Sequence, residues 1–120
     1  MHLAALVFAI IASVAIIALG IRFLLTPRQA TLDFGVGADN LRALTAIKGV
    51  RDITSGVVPL VVWVAAGRSA LGYALIAAAV TPVGDALIVL TNGGKRSTAF
   101  GIHGITAVLL VAAGLVLALA

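Results

Sequence analysis

Four long apolar segments constrain the fold of this chain more than any other feature. They cover about residues 3–25, 41–66, 69–91 and 98–120. Each is long enough for a helix of roughly 20 residues to cross the hydrocarbon core of a bilayer. Charged residues make up only 10% of the sequence, whereas soluble domains carry about 25%. So few charges cannot keep a soluble surface of this size hydrated, and the sequence predicts that most of this surface faces lipid.

Three breaks between the segments predict how the helices connect. Thr26-Pro27-Arg28 ends the first helix, since proline cannot continue the backbone hydrogen-bond ladder, and residues 27–40 are interpreted as a long loop. The short turns at Gly67-Arg68 and Asn92-Gly93-Gly94 make the helices that they join antiparallel neighbours. The sequence therefore predicts an all-α integral membrane four-helix bundle with up-down-up-down topology, formed by a single domain over residues 1–120.

Basic residues are distributed unequally between the two predicted membrane faces. One face receives Arg22, Arg28, Arg42, Lys95 and Arg96, and the other receives Arg68 alone. The positive-inside rule then places the 26–40 and 92–97 loops in the cytoplasm and both termini outside it, in a multi-pass protein of the cell membrane. Because these cations flank apolar segments, the net charge of +4 indicates lipid headgroups as partners, and nucleic acid is not expected as one.

Ionisable side chains occur inside the apolar segments at similar depths. They are Arg22, Lys48, Arg51, Asp52, Asp85 and His103. Counted at about 1.5 Å per residue from the predicted cytoplasmic ends, they share one layer some 10–15 Å thick. A lone charge at such depth costs at least about 2.5–3.5 kcal/mol, so we expect these side chains to converge inside the bundle near its cytoplasmic side.

The charges of this layer support that convergence. Spacings of three and four residues put Lys48, Arg51 and Asp52 on one face of the second helix. Together with Asp85 from the third helix, the four side chains sum to zero formal charge. Buried ion pairs that only clip helices together are the structural alternative to a functional site.

The residue types in the layer suggest roles for each. Asp52 and Asp85 are the candidate catalytic acid–base groups, and His103 is their candidate proton partner, since imidazole titrates near neutral pH. Lys48, Arg51 and Arg22 are candidate ligand-binding cations, able to grip an anionic or carbonyl group. No metal is expected, because cations in the same layer would repel the ion, and no cofactor is expected.

Two prolines lie inside the predicted helices. Pro59 leaves the carbonyl of Ser55 without its helical donor, and Pro82 does the same for Ala78. A freed carbonyl near Asp85 would help to line a cavity, although a packing kink explains the prolines equally well.

Glycine and alanine are frequent in the segments, and they let transmembrane helices approach closely. Such small-residue faces suit self-association, so we expect a homo-oligomer in the lipid bilayer.

Three short segments in order carry a family resemblance. They are Lys48-Gly49-Val50-Arg51-Asp52, Pro82-Val83-Gly84-Asp85 and Gly101-Ile102-His103-Gly104-Ile105-Thr106-Ala107. With Gly20-Ile21-Arg22 and Pro27-Arg28, they resemble the small membrane proteins of the domain of unknown function 4267 family. The resemblance covers nearly the whole chain and implies a four-helix membrane fold. It brings no established activity, so it assigns no role to any residue.

The leading functional hypothesis is a charged intramembrane pocket that binds a small lipophilic molecule. Its transformation by an isomerase- or cyclase-like proton transfer fits the groups present, because such a reaction needs neither metal nor nucleotide. A small dimeric proton-coupled transporter is one alternative, and a structural or accessory membrane subunit is another. Proton flux in proteoliposomes would identify the transporter, and a stoichiometric partner protein would identify the subunit.

Overall fold

The computed structural model describes residues 2–120, and within this range the fold is entirely helical with no β-strand. Its elements in chain order are α1 (His2–Leu25), α2 (Pro27–Phe34), α3 (Leu41–Ala78), α4 (Val80–Thr91), α5 (Arg96–Thr98), a π-helical turn (Ala99–Gly104) and α6 (Ile105–Leu119). The predicted all-α fold is confirmed.

Three helical stretches are long and apolar enough to cross a membrane: His2–Leu25, Leu41–Thr91 and Arg96–Leu119. The middle stretch has 51 residues, more than twice the roughly 20 that one crossing needs. It is interrupted at Gly67, where φ is 88° and ψ is −174°. The interruption leaves two arms, residues 41–66 and 68–91, and the fold therefore has four long helical segments.

Gly67 makes this interruption possible because it has no side chain. Its positive φ is a backbone conformation in which a Cβ atom would be strained, and glycine adopts it at little steric cost. The turn predicted at Gly67-Arg68 is therefore found at its predicted place.

Side-chain burial in this protein is the reverse of that in a soluble domain. The buried apolar residues of the described chain are small: five alanines, two glycines and one proline, namely Ala30, Ala79, Ala86, Ala99, Ala107, Gly72, Gly114 and Pro82. The large side chains lie outside, and Leu25 and Val64, for example, are 75% and 83% exposed. Soluble monomers rarely expose such extensive apolar surface, whereas membrane helices pack through small residues and turn large apolar ones to lipid. Burial and span length together indicate a membrane protein.

The interpretation of residues 27–40 as a loop was wrong in its first half, which forms α2. Pro27 lies in the first turn of this helix, where its missing N–H costs nothing and its fixed φ suits the helix. Gly35 ends it with φ of 119°, and its N–H donates to the carbonyls of Thr31 and Leu32. Proline and glycine here mark the two ends of a short helix rather than an irregular loop.

The contacts within the chain form two compact units, Met1–Gly49 and Val50–Ala120. In the first unit, α1 contacts α2. In the second unit, α4 contacts α5, the π turn and α6. The single domain over residues 1–120 stays a prediction.

The second unit contains a close helix crossing built on two glycines. A Cβ atom added to Gly72 would lie 2.6 Å from the carbonyl oxygen of Gly114, and one added to Gly114 would lie 2.7 Å from the carbonyl oxygen of Gly72. The Ser69 hydroxyl also donates to the carbonyl of Ala118 across this crossing, at 3.4 Å. Backbone thus meets backbone between the second arm and α6, as small residues allow in membranes.

Candidate functional site

The predicted site residues are carried by four helical elements. Arg22 lies near the end of α1; Lys48, Arg51 and Asp52 lie on α3; Asp85 lies on α4; and His103 lies on the π turn. Arg22 and Lys48 belong to the first compact unit, and the other four belong to the second.

Asp85 and His103 come together in the second unit. The Nδ1 atom of His103 lies 3.9 Å from the Oδ2 atom of Asp85. This distance is too long for a hydrogen bond, but a small side-chain movement would close it. The side chain of His103 is 28% exposed and that of Asp85 is 35% exposed, so both are accessible from outside the fold. The geometry is that of an open acid–base pair.

The π turn determines where the imidazole lies. Residues Ala99–Gly104 form this wider turn between α5 and α6, and His103 is its fifth residue. A π turn carries one residue more than an α-helical turn, which changes the direction of the following side chains, and such turns occur frequently at functional sites. The sequence analysis missed it, although Gly101 and Gly104 flank His103 in the sequence.

Alanines bring α4 and the π turn close together. Ala86, next to Asp85, is buried on α4, and Ala99 is fully buried at the start of the π turn. These two elements are in contact. Because a methyl group is the largest side chain at these positions, the backbones approach closely enough for Asp85 and His103 to face each other.

The charges on α3 are exposed on the helix surface. Lys48, Arg51 and Asp52 all have exposed side chains, and their spacings of three and four residues place them on one helix face. Within residues 2–120, no ion pair is found for Arg51. The convergence of all these charges with Asp85 stays a prediction.

A groove of about 380 Å³ lies between the two arms where they run through the second unit. Its lining shows which positions of the two arms lie side by side. It is lined by Thr54, Ser55, Val58, Pro59, Ala74, Ala77, Ala78 and Thr81. Thr54 and Thr81 lie about equally far from the interruption at Gly67, at the same end of the groove. One further helical turn of about 3.6 residues leads to Arg51 on one arm and to Asp85 on the other. The two charged residues are therefore at similar levels within this unit.

Arg22 has a partner that the sequence analysis missed. Its guanidinium donates to Asp33, a residue of α2, and the Gln29 amide donates to the other carboxylate oxygen at 2.8 Å. These contacts, with Arg22 first, hold the pKa of the Asp33 carboxyl below its ordinary value. The available signal was the spacing of four residues between Gln29 and Asp33, which places them on one face of a helix. It was not recognised because residues 27–40 were interpreted as a loop.

Aromatic packing supports this pair in the first unit. The rings of Phe23 and Phe34 meet edge to face, with centroids 6.3 Å apart and planes inclined by 72°. A cavity of about 370 Å³ beside them is lined by Leu19, Arg22, Phe23, Ala30, Asp33 and Phe34. Polar and aromatic contacts together dock α2 on the end of α1.

The sequence model for domain of unknown function 4267 matches residues 13–117. The chain belongs to this family. The matched range includes all six predicted site residues of this DUF4267 protein, so the resemblance found in its short segments is confirmed. No curated protein and no solved structure matches the DUF4267 chain significantly.

Proposed function

We propose that this DUF4267 protein binds a small lipophilic molecule within the membrane and transfers a proton to or from it through Asp85 and His103. The observation that carries this proposal is the 3.9 Å separation between His103 Nδ1 and Asp85 Oδ2. A carboxylate beside an imidazole passes protons near neutral pH. An isomerase- or cyclase-like reaction requires only such a pair, since the proton is removed at one atom and returned at another.

The accessibility of this pair favours chemistry over a purely structural role. A structural ion pair gains most when its partners are close, hydrogen-bonded and shielded. Asp85 and His103 are separated beyond hydrogen-bonding distance and both are partly exposed. The glycine crossing at Gly72 and Gly114 already joins the second arm, which carries Asp85, to α6 by backbone contact. The pair is therefore not needed as a clip between these segments.

The remaining predicted residues have supporting roles in the proposal. Asp52 acts as a second acid–base group, and Lys48 and Arg51 grip a carbonyl or anionic group of the bound molecule. The level that Arg51 shares with Asp85 supports this assignment. Arg22 is the weakest of the predicted ligand-binding residues, because Asp33 already occupies its guanidinium.

The proposed membrane arrangement follows the distribution of basic residues. We place the protein in the cell membrane as an up-down-up-down bundle with both termini outside the cytoplasm and the polar layer near the cytoplasmic face. Helix α2 then lies at the cytoplasmic headgroup level, where Arg28 contacts anionic lipids. Self-association through small-residue faces is part of the same proposal.

Hydrogen isotope exchange tests the proposal directly. The protein is extracted in mild detergent, and the lipophilic molecule that co-purifies is identified by mass spectrometry. The complex is then incubated in deuterated water, and incorporation of deuterium into the molecule is followed. We expect incorporation with the wild type and a loss of at least about 100-fold in Asp85→Asn and His103→Gln, which remove the proton carriers.

Asp33→Asn is the matched control, because it removes a carboxylate that lies in the other unit and pairs with Arg22. This variant should retain incorporation. Co-purification of no lipophilic molecule, or equal incorporation in the wild type and Asp85→Asn, would contradict the proposal. Proton flux in proteoliposomes driven by a gradient of the molecule, without isotope incorporation, would identify a transporter instead.

A further inference from the structure

The groove between the two arms of the second unit has a polar end and an apolar body. Thr54, Ser55 and Thr81 line one end, and Val58, Ala74 and Ala77 line part of the remainder. Its volume of about 380 Å³ is within the range of small-molecule sites, which span about 300–1,000 Å³. We refer to it as the Ser55–Thr81 groove.

Two hydroxyl groups in this groove lack the partner that similar groups elsewhere in the fold have. Thr54, Thr91 and Thr106 each donate to the carbonyl four residues earlier, at 2.9, 2.8 and 2.6 Å. Within residues 2–120, the hydroxyls of Ser55 and Thr81 form no hydrogen bond. A hydroxyl without a partner is costly in hydrocarbon, so these two groups favour a polar occupant.

Two backbone carbonyls of groove-lining residues also lack their helical donors. Pro59 has no N–H to donate to the carbonyl of Ser55, and Pro82 has none for the carbonyl of Ala78. Ser55 and Ala78 both line the groove. The two prolines therefore add acceptor capacity on both arms of the same groove.

We propose that the Ser55–Thr81 groove binds a lipophilic alcohol by its hydroxyl group. An alcohol donates to a freed carbonyl and accepts from a serine or threonine hydroxyl, so one group satisfies both kinds of partner. The apolar body of the molecule lies against Val58, Ala74 and Ala77. The absence of a charged residue from the lining favours a neutral head over an ionised one.

The position of the groove relates this ligand to the reaction. Thr54 and Thr81 at its polar end each lie about one helical turn along their arm from a charged residue, Arg51 on the first arm and Asp85 on the second. That the bound alcohol is the substrate of Asp85 and His103 rests on the proposed function, whereas its binding in the groove does not.

Photolabelling with an octanol that carries a diazirine in its chain tests the binding. The full chain is reconstituted in vesicles, irradiated with the probe, digested and analysed by mass spectrometry. We expect adducts on groove-lining residues that are displaced by octanol and not by octane. Ser55→Ala and Thr81→Val should each reduce these adducts roughly 2- to 10-fold, which corresponds to the loss of one hydrogen bond.

Filling the groove provides a matched pair of variants. Ala77→Leu places an isobutyl group in the groove and should abolish the adducts there, whereas Ala65→Leu, at an exposed position of the first arm outside the groove, should leave them unchanged. Adducts insensitive to octanol and to Ala77→Leu would overturn the proposal, even if isotope exchange through Asp85 and His103 were observed.

Discussion

Two ionic contacts in the described part of the chain, Arg22 with Asp33 and His103 with Asp85, differ in closeness and in accessory partners. In the first unit, Arg22 donates directly to Asp33, and Gln29 donates to the other carboxylate oxygen. In the second unit, His103 faces Asp85 at 3.9 Å without a hydrogen bond. A carboxylate whose oxygens both accept hydrogen bonds is held in its ionised form and is poorly suited to pass protons. The open pair is therefore the candidate for chemistry, and the closed pair is not.

The largest expected effect comes from neutralising the open pair. Asp85→Asn should lower isotope exchange on the bound molecule about 10²–10⁴-fold, the range for loss of a general acid–base group, while the protein stays folded. Asp52→Asn is expected to abolish function in the same way. Circular dichroism and size-exclusion chromatography check the fold. Unfolding of both variants would instead support ion pairs that hold helices together.

The next effect concerns the π turn that positions His103. Deletion of Gly101 removes the extra residue of the turn. His103 then rotates by about 100° around the helix axis relative to the residues before the deletion, because each residue of an α-helix contributes that rotation. We expect isotope exchange to fall roughly 100-fold, as for other misplaced catalytic groups. Gly101→Ala is the control, because a Cβ atom at this position meets nothing within 4 Å. Full activity of the deletion variant would refute a positioning role for the turn.

A third prediction distinguishes backbone packing from the open pair as the source of stability. Gly114→Ala places a methyl group against the backbone of Gly72 and should lower the free energy of unfolding by about 1–3 kcal/mol, as overpacking does. Denaturation in mixed micelles measures the change. Gly20→Ala, which has open space around its Cβ atom, should be nearly neutral. If Asp85→Asn were more destabilising than Gly114→Ala, the pair would be structural.

The smallest effect is expected from the closed pair. Asp33→Asn should loosen α2 from α1 and lower the thermal midpoint only slightly, because both partners are substantially exposed and exposed ion pairs contribute little to stability. The pKa of Asp33 in the folded protein is below its ordinary value of 3.8. Its contribution is therefore present above that value and is lost as the pH falls through the lower pKa of the folded state. Melting curves recorded between about pH 2 and about pH 7 check this, because the range includes the pKa of ordinary carboxyl groups. Equal acid sensitivity of wild type and Asp33→Asn would contradict it.

Much of the helical framework was predictable because it depends on local properties of the chain. Segment length and apolarity predicted the long helices, and Gly67 marked the interruption between the arms, since glycine adopts a positive φ at little steric cost. Helix α2 was missed because Pro27 and Gly35 are as typical of loops as of helix ends. The residue types of the candidate site were read from the sequence, and their common depth in the membrane stays a prediction. The π turn around His103 was not predicted, because α-helical spacing gives no sign of an extra residue in a turn.

By itself, the sequence determined that the chain forms helices long and apolar enough to span a membrane, and which ionisable residues lie along them. It could do so because hydropathy and helical rise act along the chain. Only the tertiary structure decided which of these residues meet. Arg22 turned out to bind Asp33, His103 to face Asp85, and Gly72 to contact Gly114. The residues of each pair lie on two different helical elements. Such contacts depend on how closely two backbones approach, and in this protein alanines, glycines and one wide helical turn set that distance.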